Sequence, residues 1–324
     1  MANMTAKPAA PQWPDLPYAD WQHTCMTLHL WTQVIGKIRL AYTPWLNHSW
    51  HVTLYTCARG LTTSVIPYEP RPFEIVFDLQ RHVLDVMTRD GGGLTIPLKP
   101  MAVADFYAAV IAALAELGID TKIRELPCEI PNAIPFSRDH EHGAYDAAYA
   151  NRFWRVLLNV DRVLNHFRTG FIGKCSPVHF FWGSVDMAVT RFSGRRASLH
   201  VGGAPGVSDL VMQEAYSHEL SSAGFWPGGG GIDFAAFYSY AYPQPAGFRD
   251  SLIEPNEAYF DATLGEFLLP YEAVRTSKDP DVTLMAFLQS TYRAAATCGD
   301  WNRAALECPI GRTGVPRPLQ GDDQ

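Results

Sequence analysis

The residues best able to do chemistry are crowded between positions 171 and 200, in FIGKCSPVHFFWGSVDMAVTRFSGRRASLH. This stretch holds the thiol of Cys175, the imidazoles of His179 and His200 and the carboxylate of Asp186. Four cations (Lys174, Arg191, Arg195 and Arg196) flank a Phe-Phe-Trp run that ends at Trp182. Asp186 interrupts an otherwise apolar strand pattern. A carboxylate in such a strand costs free energy unless it is paired, so it is either held by an arginine or functional. The arginines and Lys174 suit a carboxylate or phosphate gripped by forked hydrogen bonds, and they carry the expectation of a small anionic substrate. Cys175 precedes His179 by four residues, which permits a thiolate–imidazole pair assisted by Lys174. The preferred reading of that thiol is packing within a strand.

Other stretches could complete a site. NHSWH sets His48 and His51 three apart, and EAYSHEL sets Glu214 four before His218. On a helix Glu214 and His218 would point the same way and could chelate together. Two or three imidazoles with a carboxylate would suit Zn or Fe, although no H-E-x-x-H signature is present. The reacting groups are expected to be Asp186, His179 and Glu219, with Trp182 and Trp226 beside the substrate. An alternative pairs acids in an aromatic cleft. Glu266 and Glu272 share strand parity, and with Asp186 near Trp182, Trp226 and Tyr240 they would resemble a glycosidase site. A third reading is a non-catalytic binding or scaffolding protein with an apolar cavity or patch.

The elements that must position these groups can be read from periodicity. Leu28, Trp31, Ile35, Ile38 and Tyr42 fall at helical spacing, while His29, Gln33 and Lys37 share the other face. Phe73 to Leu79 alternates as a half-buried strand, and 82–88 and 94–98 continue a meander around Asp90-Gly91-Gly92-Gly93. Helices are predicted over 103–117 and 146–169, and over a last stretch that starts at Pro280 with Asp279 as its cap. Strands are predicted over 122–130, 237–242 and 265–275, and a short helix over 209–222. The order of elements predicts an α+β fold, with helices packed on antiparallel sheets in two similar-sized, closely associated halves. Residues 13–134 form the first half, 135–145 a connector and 146–310 the second. Disordered tails are expected at 1–12 and 311–324.

Composition bounds the function. With 324 residues the chain can build a core without staples. A net charge of −7 disfavours nucleic acid and anionic membranes as partners. The cysteines at 25, 57, 128, 175, 298 and 308 form no C-x-x-C pair, which fits reduced thiols in a cytoplasm. No apolar run approaches the length of a membrane span, and the N-terminus lacks a signal-type apolar region. G-x-G-x-x-G and Walker-type loops are absent, as is a G-x-S-x-G elbow.

The blocks LHLWTQVIGKIRLAYTPWLNHSWH, ARGLTTSVIPY, FIGKCSPVHFFWGSVDMAVTRFSGRRA, EAYSHELSSAGFWPGG and EFLLPYEAVR resemble those of a bacterial family of uncharacterised proteins, a domain of unknown function. The resemblance runs from about 13 to 305. It implies one full-length architecture and carries no mechanism. The leading expectation is therefore a cytoplasmic hydrolase or lyase, metal-dependent or not, with its site between the two halves.

Overall fold

The computed structural model describes residues 13–317; the predicted tail at 1–12 and positions 318–324 lie outside the described residues. Helix α1 (Tyr18–Tyr42) opens the fold. Its apolar stripe of Leu28, Trp31, Ile35 and Ile38 is buried, but so are His29, Gln33 and Lys37 on the other face. A helix covered on both sides must find partners for its polar groups.

Five short strands follow as an antiparallel meander: β1 (Tyr55–Cys57), β2 (Gly60–Thr62), β3 (Phe73–Asp78), β4 (Val83–Thr88) and β5 (Gly93–Pro97). In the central pair Ile75 faces Val86 and Phe77 faces Leu84, so one apolar set lies on a single face. Helix α2 (Val103–Glu116) packs beside α1, where Phe106 stacks on Trp31 at 4.6 Å between ring centroids. Helix α3 (Ala147–Arg168) follows, with the Asp146 carboxylate accepting from the N–H groups of Ala148 and Tyr149.

The second sheet contains β6 (His179–Phe181), β7 (Asp186–Arg196), β8 (His218–Trp226), β9 (Ala236–Tyr242), β10 (Tyr259–Asp261) and β11 (Glu266–Pro270). It is antiparallel, in the order β10-β11-β9-β8-β7-β6. Helix α4 (Asp209–Ala215) lies between β7 and β8, and α5 (Tyr271–Arg275), α6 (Pro280–Cys298) and α7 (Arg303–Leu306) close the chain. The α6 cap is Asp279 with Pro280 in the first turn, as the sequence predicts. The two sheets meet edge to edge, where Leu54 and Phe180 exchange backbone hydrogen bonds of 2.9 and 2.8 Å. One continuous apolar cluster includes Trp31, Phe77, Phe180, Phe225 and Leu288, and so runs through both sheets and the helices on them. The chain is an α+β protein.

Three local expectations are corrected. Residues 122–130 form no strand; the backbone there is tied instead to the side chain of Gln33. The helix expected over 209–222 stops at Ala215, and the chain is extended from His218. Pairing with a neighbour on each side, β7 and β9, outweighs the local helical pattern there. The strand expected over 265–275 ends at Pro270, which has no N–H to donate and caps α5. Glu272 therefore leaves the sheet and pairs with Arg275.

Alternation along the second sheet places the site. Helices α3 and α6 pack against β7, β8 and β9. Arg191 and Phe225 point toward them, and Asp186, Thr190, Ser222, Tyr238 and Tyr240 point to the other face, where a cavity opens.

Candidate active site

The cavity, of about 520 Å³, lies between that open sheet face, α4, the Asn47–Ser49 turn and the polar stripe of α1. A second cavity of about 530 Å³ adjoins it. The two share a wall made by Glu129, Ser184, Asp186, Tyr216, Tyr238 and Tyr240. Both volumes fall in the range of small-molecule sites.

Asp186 stands at the start of β7, directly after a tight turn in which Val185 adopts φ 58°. A β-branched residue in the left-handed region is strained, and such strain persists only where surrounding contacts impose it. Ser184 Oγ donates to Asp186 Oδ1 at 2.5 Å, and the Tyr238 hydroxyl donates to Oδ2. Tyr238 reaches across β8 because Gly224 stands between: a Cβ there would lie 2.5 Å from the tyrosine oxygen. Burial raises the affinity of Asp186 for its proton, and the two hydroxyl donors oppose that rise.

Glu129 belongs to an irregular loop and also has a left-handed backbone, at φ 60°. Its carboxyl group lies on Gly183, where an added Cβ would come within 2.1 Å of Oε1. The buried stripe of α1 holds this arrangement. His29 Nε2 donates to the Gly183 carbonyl at 2.8 Å, which fixes the Nε2–H tautomer. Gln33 both donates to the Cys128 carbonyl and accepts from the Cys128 N–H, each at 2.9 Å. Glu129 is an exposed residue that lines both cavities, while its carboxyl group packs against Gly183. Burial, then the nearby Asp186, push its carboxyl group up to about 7. Glu266 in β11, on the wall of the second cavity, is also raised to about 7, by burial, Asp186 and Asp261 in that order. Lys37, Lys122 and Arg124 line the first cavity. Among the described residues none of these cations belongs to an ion pair.

Of the residues singled out in the sequence, Asp186, Trp182 and His48 line the first cavity and Trp226 the second. Trp182 Nε1 donates to the Val52 carbonyl at 2.7 Å. Arg191 lies on the opposite face of the sheet. Its guanidinium is 3.5 Å from the Phe167 ring centroid and 4.3 Å from that of Tyr292, and it donates to the Phe167 carbonyl at 2.5 Å. Arg195 pairs with Glu219 at 2.6 Å and donates to the carbonyls of Gly299 and Asp300 beyond the end of α6. Neither Arg195 nor Glu219 lines either cavity. Arg196 is exposed, opposite His218 in the β7–β8 register. His179 is buried against Phe181 and Tyr55 and lines neither cavity, and burial followed by two arginines lowers its proton affinity to about 3. Burial likewise raises the Cys175 thiol, consistent with a packing role.

The expected metal set gathers only in part. His48 and His218 approach to 6.2 Å between ring centroids, and Trp45 Nε1 donates to Glu214 at 2.5 Å. His48 Nδ1 donates to the Ala215 carbonyl at 2.9 Å, so Nε2 carries the lone pair, and the Lys174 ammonium occupies it at 2.6 Å. His51 Nδ1 lies 3.2 Å from both the N–H and the carbonyl of Leu46, accepting from the one or donating to the other according to its tautomer. Among the described residues no three His, Cys, Asp or Glu side chains form a metal-holding group. The donor set does not fit Zn or Fe, because a cation already sits on its central imidazole.

The chain belongs to a family of unknown function. The matching family, DUF5996, covers residues 13–308. No curated protein matches the chain, and no solved structure matches it. No helix among the described residues is long and apolar enough to cross a membrane.

Glu129 and Glu266 are the acids that separate this geometry from the sequence reading. Glu266 enters the sequence reading only in the alternative of paired acids in an aromatic cleft, together with Glu272. Glu129 carries no periodic signal, since it sits in a loop. The available clue was the His29–Gln33–Lys37 stripe, a row of polar groups on a helix that is otherwise core.

Proposed function

We propose that the protein is an acid–base enzyme of the hydrolase or lyase type, acting on a small anionic substrate in the cavity beneath α4. Glu129 is the general acid and Asp186 the ionised partner, acting as base. One observation carries this reading: a carboxyl group raised to about 7 stands beside a second carboxylate held by two hydroxyl donors, on the wall of a cavity large enough for a metabolite. Burial raises both carboxyl groups, but only Asp186 has hydroxyl donors that oppose the rise, and that difference favours Asp186 as the base and Glu129 as the acid. In hydrolysis Asp186 takes a proton from water while Glu129 gives one to the leaving oxygen. In elimination Asp186 takes the proton from carbon, and Glu129 again protonates the departing group. Lys37, Lys122 and Arg124 hold the anionic part of the substrate.

A second reading keeps the acids and changes the substrate. Trp226, Tyr238 and Tyr240 beside Glu266 favour a hydroxylated ring, and a glycosidase-like reaction would use Asp186 with Glu266. A panel of chromogenic phosphate esters, carboxylic esters and glycosides separates the two readings. Turnover of an anionic ester should fall by about 10²–10⁴ in both Glu129→Gln and Asp186→Asn. Loss in Glu266→Gln but not Glu129→Gln, on a glycoside, selects the second. Turnover within about tenfold of wild type in all three variants removes the acid–base assignment.

A further inference from the structure

Charge is also buried at the seam where the two sheets meet, outside both cavities. Arg39 in the last turn of α1 and His179 on the edge strand β6 are both buried. Tyr55 of β1 connects them: the Arg39 guanidinium is 5.6 Å from its ring centroid and the His179 ring 6.4 Å. Arg39 Nε donates to the His51 carbonyl at 2.7 Å, which leaves its Nη1 without a partner. Both ring nitrogens of His179 and Nε of Arg168, the last residue of α3, are likewise buried and unpartnered. Arg168 also lies within electrostatic reach of His179.

No carboxylate answers these groups. Among the described residues neither Arg39 nor Arg168 belongs to an ion pair. Unanswered buried donors cost free energy, and an unpaired buried guanidinium costs more. An oxyanion offers several lone pairs to donors arriving from different elements, which neutral side chains cannot do. Tyr55, Arg168 and Cys175 are only partly buried, and Arg168 also has a side-chain hydrogen bond with Cys175.

We propose that Arg39, His179 and Arg168 form a binding site for a small oxyanion, either free or as the phosphate or carboxylate group of an organic ligand. Arg39 supplies the fixed charge and Nη1–H. His179 donates from whichever ring nitrogen faces the anion, and Arg168 supplies a second guanidinium. Tyr55 and His179 immediately neighbour Leu54 and Phe180, the residues whose backbone bonds join the two sheets. An anion here clamps that seam and stabilises the folded chain by mass action.

The test is thermal unfolding of the full chain in sodium phosphate against sodium chloride at equal ionic strength, with ³¹P line broadening as the direct readout of binding. Phenyl phosphate and acetate form further arms. Wild type should show saturable stabilisation, and Arg39→Gln and His179→Asn should each weaken the apparent affinity by about tenfold or more. Tighter binding of phenyl phosphate or acetate than of inorganic phosphate assigns the site to an organic ligand; the reverse order assigns it to the free ion. The double variant Lys122→Ala/Arg124→Ala, which removes two cations of the first cavity, should leave the effect in place. No saturable binding to wild type overturns the proposal. So does an unchanged effect in both seam variants, or loss of the effect in the cavity variant instead. Should Arg39→Gln fail to fold, His179→Asn and the wild-type titration decide the matter.

Discussion

Asp186 and Arg191 stand on the same strand, and both are buried ionisable groups, yet their surroundings are opposite. Asp186 looks into a cavity, accepts hydrogen bonds from Ser184 and Tyr238, and has other acids close by. Arg191 looks into packed protein, sandwiched by Phe167 and Tyr292 with a single carbonyl acceptor. Strand parity separates them. A shift of one position moves a side chain from one face of a sheet to the other. The polar group that faces empty space is available for chemistry, and the one that faces rings serves as packing.

That contrast makes unequal demands on variants. Arg191→Ala leaves a hole beneath α3 and α6, and stability measured by urea unfolding should drop by about 2–4 kcal/mol. Any turnover per folded molecule should be unchanged, because Arg191 touches neither cavity. A loss of turnover without a loss of stability would reverse the contrast.

The acid side should show itself in pH dependence. Glu129 and Glu266 have folded-state values raised from 4.5 to about 7. The folded chain thus holds these protons after the unfolded chain has released them. Their contribution to stability is complete below the ordinary carboxyl value and is lost as pH rises through about 7. Urea midpoints should therefore decline less steeply between pH 4.5 and 7 in Glu129→Gln than in wild type. Equal slopes would mean that Glu129 titrates as an exposed carboxylate. Turnover that needs the protonated acid should fall above the same pH.

The smallest effect belongs to the outer end of β7. Arg195→Ala breaks a half-exposed pair with Glu219, which should cost less than about 1 kcal/mol in the same urea assay and leave turnover intact. A large activity loss would return Arg195 and Glu219 to the site.

Much of the architecture was legible because local signals agreed with one another. Asp146 caps α3 and Asp279 with Pro280 opens α6, and between caps and stops the apolar stripes repeat at helical spacing. Where the expectations failed, the decision was not local. EAYSHEL has helical spacing, but from His218 onward it is claimed by strands on both sides. The site was legible at Asp186, Trp182, Trp226, Tyr240, His48 and Glu266, because a carboxylate in an apolar strand is conspicuous and aromatic residues stand out by type.

Residues 171–200 determined by themselves that an acid and several cations would share one strand region, and the alternation determined that they could not all share a face. The sequence did not determine which face would be filled. That followed from the packing of α3 and α6, which covered Arg191 and left Asp186 open. Glu129 reached Asp186 only through folding. Its loop has no periodicity to announce it, and its position depends on hydrogen bonds from an α1 stripe distant in the chain. A pattern repeating over a few residues can specify helix, strand and face. The meeting of one acid with another depends on contacts far apart in sequence, and those exist only once the core has formed.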